Sequence, residues 1–291
     1  SSSSWPYATL DYPDGDDFKQ FYPVSVMETG GEILYPWVSR MIMLGLYVTG
    51  EVPFKSVYIH GYVMAEDGAK MSKSKGNVIN PDDYINKYGA DALRMYLMFL
   101  GPFDQGGDFR DGGIKGITRF LERVWKLFSD GKEQAKGENL NKKVHQTIKK
   151  VTEDIENLNY NTTVSALMIL LNEFEADSES VSKKDKETFL QLLAPFAPHM
   201  TEEIWREVLG NKESIHISEW PKYNPELIKE DEINMVVQIN AKMRAVIKLP
   251  AGAGQKEVEE AAKNNENISK YLISPIKKVI FVKDKFINFV I

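Results

Sequence analysis

Apolar positions recur with two different periods along this chain, and the places where the period changes divide it. Val24-Ser25-Val26-Met27 predicts a short strand that runs into Glu28-Thr29-Gly30-Gly31-Glu32. Ile33, Leu34, Trp37, Val38, Met41, Ile42 and Leu44 then recur at helical spacing, with Pro36 in the first turn, where a missing N–H costs little. Val57 to Val63 is β-branched and aromatic, which predicts a second strand. Pro81-Asp82-Asp83 reads as a helix start with its acids where the helix dipole favours them. Tyr88 to Met98 predicts another helix, with Asp91 as a candidate N-cap.

From Gly113 to about Gly210 the period is helical throughout. Helices are predicted over Ile117 to Phe128, Lys142 to Asn157, Thr162 to Glu175, Lys183 to Leu193 and Pro198 to Leu209. Phe120, Leu121, Val124, Trp125, Leu127 and Phe128 crowd one side of the first of these, so a bundle is the economical architecture. After Trp220-Pro221 the period of two returns. Asn234 to Asn240 and Met243 to Leu249 predict strands, Lys256 to Lys263 a helix, and Lys278 to Val282 with Phe286 to Ile291 a final hairpin. The expected organisation is three parts, 1–112, 113–222 and 223–291, of α/β, α and α+β class.

Composition narrows the options. The 291 residues are 43% apolar and 27% charged, as in a soluble globular protein with room for two or three cores. No apolar run approaches the roughly 18 to 20 residues that span a bilayer, so no membrane partner is expected. Cysteine is absent, which removes disulfides and thiolate metal sites and fits a cytoplasmic location. The four histidines are widely separated in sequence, so no metal site is expected. A net charge of −6 excludes a uniformly basic nucleic-acid binder but leaves local basic faces open.

The candidate chemistry lies in Lys70-Met71-Ser72-Lys73-Ser74-Lys75-Gly76-Asn77. A Lys/Ser cluster alone most often reads as a solvated loop. Held between a strand and a helix, it is suited to gripping a polyphosphate, because an ammonium is a compact charge with three rotatable donors. The Gly30-Gly31 pair at a strand end allows close approach of a ligand, and the Glu32 carboxylate just beyond can accept hydrogen bonds from a diol.

KMSKSKGN resembles the KMSKS signature of the class I aminoacyl-tRNA synthetases, with no substitution in its five core positions. Asn80-Pro81-Asp82-Asp83, Lys87 to Arg94, and Ala194-Pro195-Phe196-Ala197-Pro198-His199-Met200 onward to Trp205 resemble the valine, leucine and isoleucine enzymes of that class. The resemblance implies the second half of a Rossmann-type nucleotide-binding fold in 1–112, an anticodon-binding helical bundle in 113–222 and a small tRNA-contacting domain in 223–291. It implies ATP with Mg2+ as substrate, an aliphatic amino acid and a cognate tRNA, joined through an aminoacyl-adenylate.

The same resemblance assigns roles. Lys70 and Lys73 meet the departing pyrophosphate, Gly30 and Glu32 the ribose, and the strand at Gly61, Tyr62 and Val63 the adenine through its peptide groups. Met71, Ser72 and Ser74 complete the nucleotide loop. For tRNA the candidates are Lys75, then Lys142, Lys143, Lys149 and Lys150 on one helix, which read equally as a solubilised face. Lys242, Arg244 and Lys248 are added because alternate residues of one strand share a face. The paired-histidine HIGH signature of the class is not found: His60-Gly61 has no second histidine, and His60 reads as a strand histidine with a local partner. The expectation is therefore a fragment whose partner is the N-terminal half of the same enzyme. The Thr-Gly-Gly-Glu-Ile-Leu to Trp-Val-Ser-Arg-Met-Ile-Met segment looks like the valine enzymes. Gly101 to Asp108 and the terminal domain look like the leucine ones. Valine is favoured because specificity resides in the catalytic segment; a leucyl enzyme, or for the chain alone a non-catalytic tRNA-binding module, is the alternative.

Overall fold

The computed structural model describes residues 2–129, 141–228, 232–272 and 275–291. Two short helices, α1 (Trp5–Ala8) and α2 (Asp16–Phe21), open the chain. Aromatic rings link them, edge-on from Tyr7 to Tyr12 and from Tyr12 to Phe18, and stacked from Phe18 to Tyr22.

β1 (Val24–Gly30), α3 (Ser39–Thr49) and β2 (Phe54–His60) form a βαβ unit whose strands pair in parallel, Val24 opposite Phe54 and Gly30 opposite His60. The helix does not begin regularly. A tight turn at Gly31–Ile33 leads into five π-helical residues, Leu34–Val38, before α3. Pro36 sits inside that widened stretch, where it cannot supply the N–H that a regular turn requires. Met27, Val38, Met41 and Phe54 make the small core between helix and strands.

β3 (Tyr62–Met64) follows at once and pairs in parallel with β4 (Gly106–Asp108). Between them lie the lysine loop, α4 (Pro81–Tyr88) and α5 (Ala90–Phe99). Asn80 caps α4 by accepting from Asp82 N, with Pro81 in the first turn. Gly89, not Asp91, precedes α5, and Asp91 is buried in its first turn. Its carboxylate is occupied by another helix.

α6 (Asp111–Ser129), α7 (Asn141–Glu156), α8 (Tyr160–Ala176), α9 (Lys183–Leu193) and α10 (Pro198–Glu203) form the bundle. Ser182 and Asp185 cap α9 reciprocally. α10 widens into π-helical Ile204–Val208, a departure from the regular helix expected there. One core runs from Ala92, Met95 and Tyr96 of α5 through Phe120, Val124 and Phe128 of α6 to Leu167, Phe174, Phe189 and Phe196. α5 therefore packs as part of the bundle. All of this lies in one compact unit, Ser1–Tyr223.

The second unit, Asn224–Ile291, holds β5 (Glu232–Ile239), β6 (Lys242–Pro250), α11 (Gln255–Lys263), α12 (Glu266–Ser269), β7 (Lys278–Val282) and β8 (Phe286–Val290). The sheet order is β6-β5-β8-β7, with β5 and β8 parallel and the outer pairs antiparallel. Met235, Val237, Ile247, Ile287 and Phe289 meet Val258, Ala262 and Ile268 of the helices in its core.

Register corrects one expectation. A bulge after Val237 pairs it with Ala245 but pairs Gln238 with Met243. Lys242 then lies opposite Ile239, a core residue, whereas Lys248 lies opposite the exposed Asn234. Opposed residues of an antiparallel pair share a side, so Lys242 and Lys248 sit on opposite faces. Arg244 is the extra residue of the bulge, and its guanidinium stacks on the Tyr271 ring at 4.2 Å.

Candidate nucleotide site

The candidate residues gather at the carboxyl ends of β1 and β2, where a parallel sheet leaves room for a ligand. Gly30 ends β1, and Glu32 lies in the tight turn that follows. Opposite, the chain leaves β2 at His60, turns through Gly61 and enters β3. Gly61 is required by close approach: a Cβ there would lie 2.1 Å from the carbonyl carbon of Gln105 and the amide nitrogen of Gly106. His60 has the local partners expected of a strand histidine, with Nδ1 2.6 Å from Gly61 O and Nε2 3.4 Å from Glu28 Oε1.

After β3 the chain doubles back through Ala65 to Ala69, with Ala65 N donating to Ala69 O, so that Lys70 pairs across to Met64. The turn delivers Lys70 to Glu32, 38 residues earlier in sequence, and Nζ lies 2.5 Å from Oε1. Glu32 holds the Lys70 ammonium above its ordinary range, chiefly through that hydrogen bond. The same ammonium lies 5.1 Å from the centre of the Tyr62 ring.

Lys73, Ser74 and Lys75 form a single tight turn closed by Gly76 at φ 66°, a left-handed conformation that suits glycine. Lys73 and Lys75 are exposed. Ser72 and Ser74 lie hydroxyl to hydroxyl at 3.2 Å. Asn77 staples the loop: its Oδ1 accepts from Ser72 N at 2.8 Å and its Nδ2 donates to Lys70 O at 3.3 Å. Sequence reading missed this role, although Asn after Gly in a turn was the available signal. Met71 departs from its expected place among the nucleotide residues. It is half-buried and packs with Ile79, Tyr84 and Tyr88 against the bundle core, where it anchors the loop.

Gly61, Tyr62 and Val63 also line a cavity of about 560 Å³ whose other walls include Leu93, Arg94, Leu97 and Phe103. Its walls are largely apolar. Among the described residues no cluster of three or more His, Cys, Asp or Glu could hold a metal ion.

The four helix lysines lie in two adjacent stripes of α7, Lys142 with Lys149 and Lys143 with Lys150. Lys150 is paired with Asp154 at 2.6 Å, and Thr162 donates to the same carboxylate at 2.7 Å. Lys149 lies 3.8 Å from Glu153 and 6.0 Å from the centre of the Tyr223 ring. Lys143 lines a shallow pocket with Gln146 and Thr147.

Residues 1–108 match the family described as tRNA synthetases class I (I, L, M and V), and residues 138–260 match the anticodon-binding domain of tRNA ligase. A leucine–tRNA ligase of Chlorobaculum tepidum is 39% identical over 313 residues, covering all of this chain and 38% of that protein. The LeuRS of Agrobacterium radiobacter K84, solved as a ternary complex with tRNA and LeuAMS, superposes with a TM-score of 0.81. It has 26% identity over 99% of this chain and 41% of its own. A Mycobacterium tuberculosis methionyl-tRNA synthetase bound by methionyl-adenylate shares the fold at a TM-score of 0.55, with 20% identity over 67% of this chain and 46% of that one. The chain thus spans about two-fifths of the length of its leucine relatives. The preference for valine is not supported, because both of the more similar proteins are leucine enzymes. With its nucleotide loop, its helical bundle and its relatives all in agreement, the chain belongs to the class I aminoacyl-tRNA synthetases of the valine, leucine and isoleucine group.

Proposed function

We propose that this chain supplies the KMSKS side of the nucleotide site, and the tRNA-binding bundle, of a leucyl-type aminoacyl-tRNA ligase that joins leucine to its tRNA through an adenylate. The observation that carries the reading is the meeting of Glu32 and Lys70 at the carboxyl ends of two parallel strands. A ribose acceptor and a phosphate cation are thereby set side by side. Glu32, in the turn that follows Gly30, accepts from the ribose hydroxyls. Peptide groups of Gly61 to Val63 meet the adenine edge, and the apolar cavity beside them suits a flat ring.

Lys70 and Lys73 neutralise charge that develops on the leaving pyrophosphate. They act by position and electrostatics, without covalent chemistry. Mg2+ enters with the ATP phosphates as part of the substrate. Lys75 and the α7 lysines face tRNA. The remainder of the catalytic fold packs on the apolar side chains left exposed here, Val57 and Ile59 of β2 and Met43 and Tyr47 of α3.

The test is exchange of labelled pyrophosphate into ATP, run with the chain alone and with the amino-terminal portion of a leucine–tRNA ligase added in trans. Leucine-dependent exchange is expected on complementation, with Lys73→Ala slower by about two to three powers of ten. Valine-dependent exchange would restore the valine enzyme, and an undiminished Lys73→Ala rate would remove that lysine's role.

A further inference from the structure

Tyr62 was expected to contribute only peptide groups, but its side chain occupies the centre of the site. The phenol reaches across to the end of β1: a Cβ on Gly30 would lie 2.6 Å from Tyr62 Oη and 3.2 Å from Cζ. The ring meets His60 edge-on, centroids 5.8 Å apart and planes at 65°. Held between Gly30 and His60, the ring has the Lys70 ammonium 5.1 Å from its centre, while that ammonium is hydrogen-bonded to Glu32. The cation thus has two partners of different kinds. The carboxylate is the group that must be released if Glu32 is to accept from a ribose. The ring face competes for no hydrogen bond and can hold the ammonium while the carboxylate changes partner.

We infer that Tyr62 is a positioning residue for Lys70: its ring holds the ammonium at the rim of the Gly30–Glu32 turn, so that the lysine passes from Glu32 to the phosphates of an incoming nucleotide. The inference rests on the nucleotide reading of the site. The ring supplies the hold and the hydroxyl only fills the space over Gly30, so Tyr62→Phe retains the function and Tyr62→Leu loses it.

Two measurements on the full chain test this. In the free chain, NMR of the Lys70 side chain should show an upfield ring-current shift of its terminal methylene protons. The shift should persist in Tyr62→Phe and vanish in Tyr62→Leu. In titrations, Tyr62→Leu should weaken ATP binding about two- to five-fold more than it weakens adenosine binding, the range of an exposed cation–ring contact. Tyr62→Phe should match the parent with both ligands. Equal loss of adenosine and ATP in Tyr62→Leu would mean that the ring merely shapes the pocket, and would overturn the inference. So would unchanged ATP affinity, or a Lys70 signal indifferent to the ring. Binding of neither ligand by the parent chain is a separate result: it would overturn the nucleotide reading and the inference with it, whatever the Lys70 signal shows.

Discussion

The Asp91 carboxylate in the first turn of α5 caps the helix that begins 107 residues later: Oδ2 accepts from Met200 N at 2.8 Å, and Oδ1 lies 2.7 Å from His199 Nδ1. Asp91 is buried and the His199 side chain is mostly exposed. The amide bond is therefore the one shielded from water, and the imidazole contact is a surface pair. Asp91→Ala should lower the unfolding free energy by about 1–3 kcal/mol, the cost of leaving a buried donor without its acceptor. His199→Ala, which keeps the backbone bond, should cost less than about 0.5 kcal/mol. Urea unfolding of both variants decides the matter, and equal losses would show that the side-chain pair carries the capping.

Gly61 and Gly112 make a matched pair of tests of backbone crowding. A Cβ on Gly61 would meet backbone atoms at 2.1 Å, and backbone at that distance cannot give way without separating β3 from β4. Gly61→Ala should cost about 3 kcal/mol or more, the upper end for overpacking. Gly112, in the first turn of α6, has nothing within 4 Å of the added atom and no left-handed φ. Gly112→Ala should raise stability by about 0.4–1 kcal/mol by restricting the unfolded chain. Thermal melts with opposite signs for the two substitutions are the expected result.

Tyr84 joins the helix after the lysine loop to the start of the bundle. Its hydroxyl donates to Asp111 Oδ1, and that hydrogen bond, with burial and the carboxylate's charge as smaller causes, pushes the phenol up to about 12 from an ordinary 10.0. The folded form thus holds this proton more tightly than the unfolded form. The stability it contributes is complete below pH 10 and is lost as pH rises from 10 towards 12. Tyr84→Phe lacks the bond at every pH. The gap in Tm between the parent chain and this variant should therefore be constant up to about pH 10 and close above it, while a gap that widened would contradict the assignment.

What could be read from the residues and what could not differ in range. The strand ends, the Gly30-Gly31-Glu32 turn and the lysine loop between strand and helix depend on neighbours within a few residues, and local propensity and spacing carry that information. The four strands of the second unit and α11 were legible for the same reason, whereas the short α12 was not. The Asp91 cap was not, because an aspartate near a helix start looks like a cap for its own helix, and nothing local points to Met200. Met71 looked like part of a polar loop, yet the bundle core it packs against is assembled from residues up to Ile215. Tyr62 read as a strand residue because the space above Gly30 exists only once β1 and β2 are paired. The bulge after Val237 leaves no mark in the alternation of β6, so Lys242, Arg244 and Lys248 were assigned to one face.

That bulge also divides two candidate RNA contacts. Lys242 lies opposite Ile239 and Lys248 opposite Asn234, on the two sides of the sheet, so one nucleic-acid surface lying against this unit reaches one of them and not both. Each phosphate contact contributes about 0.7 to 0.9 to the slope of log affinity against log salt. Two lysines on a shared face would together lower that slope by nearly two. With the faces divided, one of Lys242→Ala and Lys248→Ala should lower it by about one and the other leave it unchanged, and the double variant should match the more affected single one. tRNA binding by the full chain at graded salt concentrations gives the slopes. A double variant whose slope falls by the sum of two substantial single effects would place both lysines on the RNA and would contradict a recognition surface confined to one face of the sheet.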